Sequence, residues 1–158
     1  MKLTEIIHAD SIITPLKSND RDEVIAELID VLIKSGAAPA SIREDLIERV
    51  LDREQKHSTG FGRGVAVPHV KHLDIQEITV AIGVSNEGID FNSLDKQPVY
   101  SVFLLLSPQS RPEEHLQAME ILFKNLSKDT FRRALRQASS AAAIYQLLDD
   151  ADNHRLGG

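Results

Sequence analysis

Apolar residues at helical spacing mark the first element of the chain. Val24, Ile25, Leu28, Leu32 and Ile33 share one face, which predicts a helix over residues 20–35 closed by Gly36. A second helix is expected over 41–55. Ile42, Leu46, Ile47 and Val50 form its stripe, and Ser41 with Glu44 reads as a capping box. Before both, Ile12-Ile13 is a short β-branched run ended by Pro15, an edge strand or an extended arm. The pattern then changes, with Gly60, Gly62, Gly64, Pro68, Gly83 and Gly88 concentrating the chain breakers. Residues 65–67, 79–84 and 99–106 read as strands, and the unbroken apolar run Val102-Phe103-Leu104-Leu105-Leu106 is expected of a strand buried on both faces. Helices return at Pro112, which suits a first turn together with Glu113 and Glu114. Leu116, Met119, Phe123 and Leu126 form the expected stripe of that helix, widened by Leu122. Shorter helices over 130–137 and 139–149 complete the pattern.

Helices, then strands, then helices, joined by connections too short for two cores, imply an α/β chain. The expectation is a layered sandwich, a small mixed β-sheet flanked by helices, in one domain over 1–150 with a flexible tail over 151–158. At 158 residues and 42% hydrophobic composition, such a domain needs no disulfide or metal to hold it. The absence of cysteine excludes a disulfide framework, an iron–sulfur or thiolate zinc site and a cysteine nucleophile. No apolar run approaches a membrane span and no leader pattern opens the chain, so a soluble cytoplasmic protein without membrane insertion is expected. A net charge of −6 leaves no basic footprint for nucleic acid.

The chemistry concentrates between Arg53 and His69. Gly60-Phe61-Gly62-Arg63-Gly64 lies after a helix and before a strand, the reverse of the dinucleotide-binding context, and lacks the lysine of a P-loop. No cofactor is expected from it. The loop is either a tight connection or an anion cradle in which Gly60, Gly62 and Gly64 offer backbone N–H groups, Thr59 a hydroxyl and Arg53 a charge. His69 follows Pro68 at a strand end, and His115 falls in the first turn of a helix. Two imidazoles and an arginine around one anion suit phosphoryl handling, with one neutral imidazole as nucleophile and its neighbours stabilising the charge. Metal binding by His69 and His72 with His57 or His115 is the rival chemistry. There is no HExxH pattern and no usual set of ligands with fixed partners, so no metal is expected. A GxSxG elbow is also missing, against a serine hydrolase. His8 and His72 read as surface histidines.

Arg53-Glu54, Ser58-Thr59-Gly60, Gly62, Gly64, Ala66, Pro68-His69 and the segment around His115-Leu116 together resemble one family. It is the IIA domains of the bacterial phosphoenolpyruvate-dependent sugar phosphotransferase system, fructose/mannitol type, which includes the stand-alone nitrogen-regulatory IIA proteins. The resemblance covers nearly the whole chain and implies an α/β sandwich. It implies that His69 receives phosphate from the histidine phosphocarrier protein or a paralogue, that His115 is the second active-site histidine and that Arg53 lies near the phosphate. Downstream it implies a IIB domain or a regulated target protein as partner. A chain with no fused IIB, IIC or phosphocarrier domain is organised like the stand-alone regulatory members. His57 and Val70 depart from the family pattern, both standing where small residues are common, and Arg63 occupies a variable position.

Overall fold

The computed structural model describes residues 1–156. The helices are α1 (Leu3–Ile6), α2 (Arg21–Lys34), α3 (Arg43–Lys56), α4 (Pro112–Leu126), α5 (Asp129–Gln137) and α6 (Ala141–Asp152). The strands are β1 (Ile12–Ile13), β2 (Gly60–Gly62), β3 (Val65–Ala66), β4 (His69–His72), β5 (Thr79–Ile89) and β6 (Val99–Pro108). They form one six-stranded mixed sheet in the order β1-β5-β6-β3-β2, with β4 also on β6. The long pair β5–β6 is antiparallel, whereas β1 joins β5, and β3 and β4 join β6, in parallel. The apolar run of β6 is the middle of the protein, as its pattern predicts.

Alternation along β6 divides the core. Phe103 and Leu105 face α1, α4, α5 and α6, where they pack with Leu122, Phe131, Leu135 and Leu148. Val102, Leu104 and Leu106 face α2 and α3, where they pack with Leu28, Leu32, Leu46 and Val50. The sheet is therefore covered on both faces, the arrangement that hides a continuous apolar strand from water. β3 and β4 lie one after the other along a single edge of β6. Val65 and Ala66 stand opposite Ser101 and Val102, and His69 to His72 stand opposite Leu105 to Pro108. Val67 and Pro68 are the break between them. Proline has no N–H to give the ladder, but its carbonyl still accepts from Leu105 N at 2.9 Å. His69 thus starts a fresh strand whose direction β6 fixes.

Several local expectations hold and others shift. Asp20 caps α2 by accepting from Asp22 N and Glu23 N. Gly36, at φ 86°, ends that helix in a Schellman motif, with Gly36 N on Ile33 O and Ala37 N on Leu32 O. The capping box of Ser41 and Glu44 does not form. A 3₁₀ turn, Ala40–Ile42, precedes α3, and Arg43 instead ion-pairs with Asp30 of α2 and with Glu44. In α4 the apolar stripe is rotated from its expected place. His115, Ala118, Leu122, Asn125 and Leu126 turn inward, whereas Leu116 is 61% exposed and Phe123 38%. The polar residues can take the inner positions because each has a partner there, Ser107 for His115 and the Ile121 carbonyl for Asn125.

The last helix continues two residues past the expected start of the tail. Asp152 holds α1 through Leu3 N at 2.7 Å, Thr4 N at 3.0 Å and Thr4 Oγ1 at 2.7 Å. Leu156 packs partly buried against the core, and Gly157 and Gly158 of the expected tail lie outside the described residues. Among the described residues no helix is long and apolar enough to cross a membrane.

Candidate functional site: a histidine pair between β4 and α4

His69 opens β4 opposite Leu105, so its side chain shares the face that α4 covers. His115 projects from α4 to meet it, with ring centroids 5.6 Å apart and planes inclined by 53°. Each ring is held through Nδ1. His69 Nδ1 lies 2.8 Å from the Val67 carbonyl. A carbonyl can only accept, so Nδ1 carries the proton and the lone pair of His69 is on Nε2. His115 Nδ1 lies 2.7 Å from Ser107 Oγ in the buried space between β6 and α4.

The electrostatics keep both rings neutral. Burial pushes the His69 imidazolium below its ordinary range; the Val67 carbonyl opposes this, while Arg53 and Lys71 add to it. His115 is only 6% exposed, and burial, followed by the charges of His69, Lys71 and Arg53, lowers it to about 4. A neutral imidazole with a free ring nitrogen is a nucleophile, and positive groups beside it favour an anion.

A pH signature follows from linkage. In the unfolded chain a histidine takes up a proton as pH falls through about 6.5. Folded His115 stays neutral until about 4. The unfolded state therefore binds more protons across this window, so the stability contributed by neutral His115 is complete above it and is lost progressively as pH falls through it. Urea midpoints of the wild type and of His115→Asn, measured from pH 7 to pH 4, should show the variant gaining relative to the wild type as pH falls.

Lys71 belongs to the site although the sequence reading does not include it. Two residues beyond His69 on the same strand, it shares the His69 face and remains exposed. The signal was present as period-2 spacing, but the expected strand stopped before Pro68, so no face was assigned to Lys71. The charge of Arg53, on α3, disfavours the charged form of both rings.

The glycine segment has a packing role of its own. It forms the β2–β3 hairpin, and its glycines answer to packing. A Cβ on Gly60 would stand 2.3 Å from Ser93 Oγ. Gly62 and Gly64 have φ of 108° and 79° and sit against Asp95 and the Tyr100 ring. Gly60 N donates to Ser58 Oγ at 3.0 Å, and Arg63 N at the turn donates to Asp95 at 2.9 Å, a carboxylate where an anion cradle would need positive charge. Thr59 is likewise committed. Its N–H and its hydroxyl both donate to Glu54, a carboxyl 3% exposed that burial raises above its ordinary value. Thr59 thus fastens the start of the hairpin to α3.

His72 is not a surface histidine. It is buried at 5% exposure on the opposite face of β4, where Nδ1 accepts from Asp74 N at 3.0 Å and Nε2 donates to Asp45 of α3 at 2.7 Å. It cannot join His69 in a metal site, because alternate strand residues face opposite ways. His57 ends α3 exposed, Arg63 is exposed at φ 60°, and Val70 is an inward strand residue packed with the α2–α3 core. A surface concavity of about 760 Å³, lined by residues including His8, Asp10, Asp74, Thr79 and Arg111, contains neither histidine of the pair. His69 of the pair is half-buried and His115 buried, and exposed Leu116 follows His115 in the chain.

Known proteins share both this fold and this chain. The family model for the phosphoenolpyruvate-dependent sugar phosphotransferase system, EIIA 2, matches residues 5–151. A fructose-specific EIIABC component of Bacillus subtilis is 34% identical over 152 residues, 96% of this chain but 24% of that protein. The chain thus spans about a quarter of that relative. A nitrogen regulatory protein of Bradyrhizobium diazoefficiens is 32% identical over 148 residues, 94% of this chain and 95% of that protein. The crystal structure of the nitrogen regulatory protein IIA-Ntr from Neisseria meningitidis superposes with a TM-score of 0.84 at 28% identity, covering 92% of this chain and 98% of that one. With nearly its full length matched and a mixed sheet carrying the family's histidine run, the chain belongs to the EIIA type 2 (fructose/mannitol) family of the phosphotransferase system.

Proposed function

We propose that the chain is a phosphocarrier that accepts a phosphoryl group on Nε2 of His69 from the histidine phosphocarrier protein and acts as a regulatory, nitrogen-regulatory-like IIA in the cytoplasm. The observation that carries the reading is the bond from His69 Nδ1–H to the Val67 carbonyl, which leaves the lone pair of Nε2 free. In the transfer, that pair forms the new N–P bond as the N–P bond of the donor's phosphohistidine breaks and its electron pair returns to the donor ring. No proton needs to move when the other ring nitrogen of the donor's phosphohistidine carries a proton: the donor then leaves as a neutral imidazole, and His69 keeps its Nδ1–H. His115 donates an N–H to a phosphoryl oxygen, and Arg53 and Lys71 offset the charge that gathers there.

Regulation is supported by the superposition on IIA-Ntr at a TM-score of 0.84. Phosphorylation adds nearly two negative charges to a chain of net −6, enough to change which protein surfaces it meets. The second reading, relay to a IIB partner during sugar uptake, is favoured by the comparable identity to the fructose-specific component.

One experiment separates them. The protein is phosphorylated with phosphoenolpyruvate, the first enzyme of the system and the phosphocarrier protein, then mixed with a fructose-type IIB domain. A regulatory member gains one phosphate by intact mass and keeps it in the presence of IIB. Rapid loss to IIB supports the transport reading, and failure to gain phosphate contradicts both.

A further inference from the structure

We propose that Ser107 is a positioning residue for phosphoryl transfer: its hydroxyl donates to Nδ1 of His115 and thereby fixes that ring as the tautomer with its proton on Nε2, facing the phosphoryl group. The inference rests on the phosphocarrier reading of His69 for its function, but not for its chemistry.

The geometry comes from β6. Ser107 stands opposite Lys71 in the parallel pair with β4, and His69 stands opposite Leu105. Ser107 is therefore one strand step beyond Leu105 on the same face, beneath α4. It is completely buried, and its Oγ lies 2.7 Å from His115 Nδ1.

The direction of the bond follows from counting donors. A serine hydroxyl has one proton to give and two lone pairs to receive. If Nδ1–H donated to Oγ, the hydroxyl proton would need a separate acceptor, and among the described residues no other hydrogen bond to Oγ accompanies this one. A buried donor without an acceptor costs about 1–3 kcal/mol, whereas a spare lone pair on an oxygen that already donates costs much less. The stable arrangement is Oγ–H donating to Nδ1.

Two consequences follow. The remaining ring proton must be on Nε2, where His115 can donate to an oxygen of phospho-His69. Protonation of Nδ1 is also opposed, because it would turn the hydroxyl away from its only partner. The charged and titratable groups acting on His115 are His69 and Lys71 of β4 and Arg53 of α3, and all of them oppose a positive charge on the ring. Ser107 thus works with its surroundings to keep His115 a neutral donor. The same device holds His69 in mirror image: there Nδ1 donates to a carbonyl and Nε2 is left bare. One ring presents a lone pair and the other an N–H.

The test uses nitrogen-15 NMR of the histidine side chains in unphosphorylated protein, together with transfer kinetics. In the wild type, Nδ1 of His115 should carry no proton and Nε2 should carry one. Ser107→Ala, a small change in a buried site, should raise the pH at which His115 titrates and slow phosphoryl transfer to His69 by about tenfold. Ser107→Thr, which restores the hydroxyl, should recover both. A protonated Nδ1 in the wild type overturns the proposal, as does a Ser107→Ala variant with unchanged His115 titration and an unchanged rate. Slow transfer with no titration change would be mere loss of packing and would also overturn it. The tautomer and titration are read without phosphate, so they decide the role of Ser107 even if His69 proves not to be the acceptor.

Discussion

His69→Ala should take up no acid-labile phosphate from the phosphocarrier protein under conditions that label the wild type completely. His69 combines a half-buried position, an Nε2 lone pair left by the Nδ1 bond and the nearby charges of Arg53 and Lys71. His115 is buried, His72 spends both ring nitrogens on Asp74 and Asp45, and His57 ends a helix in solvent. The side chain is only half-buried and its one bond is to a backbone carbonyl, so its loss leaves the fold standing. Circular dichroism of the variant should match the wild type. Retained labelling, or labelling moved to His57 or His72, would contradict the assignment.

The second large effect concerns rate. His115→Ala should still be phosphorylated on His69, but about a hundred-fold more slowly in both directions, the usual consequence of removing one preorganised donor from a transferring group. The 5.6 Å between ring centroids is what makes a shared phosphoryl group possible. Quench-flow transfer from the phosphocarrier protein gives the rate directly. Because His115 is buried, the alanine variant leaves a gap and unpairs Ser107, so His115→Asn, which keeps a side-chain N–H, is the companion. It should recover part of the rate. Wild-type rates in the alanine variant would leave His115 as a structural residue only.

The sequence revealed the layered fold because the elements that define it are long and strongly periodic. The unbroken run in β6 announces a strand covered on both faces, and the stripe of α2 announces its packing face. The histidine pair was legible through its resemblance to the family. What escaped was local geometry. β4 is four residues long, follows a proline and carries a polar residue, His72, on its buried face, so its start at His69 and the alignment of Lys71 were hidden. The stripe of α4 was read by hydrophobicity alone, which placed Leu116 inside. The buried bond to Ser107 draws His115 inward and leaves Leu116 in solvent beside the site. The glycines were assigned to the phosphate because such loops can bind anions. Ser93, Asp95 and Tyr100, some thirty residues away in sequence, also leave little room for a side chain there. Contacts at that separation leave no periodic signature. For the same reason Thr59 looked free: nothing in its neighbourhood of the sequence shows that Glu54 is buried and turned back onto it.

The position of the phosphate on the imidazole tests the account most directly. Nitrogen-15 and phosphorus NMR of the phosphorylated wild-type protein should place the phosphorus on Nε2 of His69, with Nδ1 still protonated against the Val67 carbonyl. Phosphorus on Nδ1, or on any other residue, would contradict it.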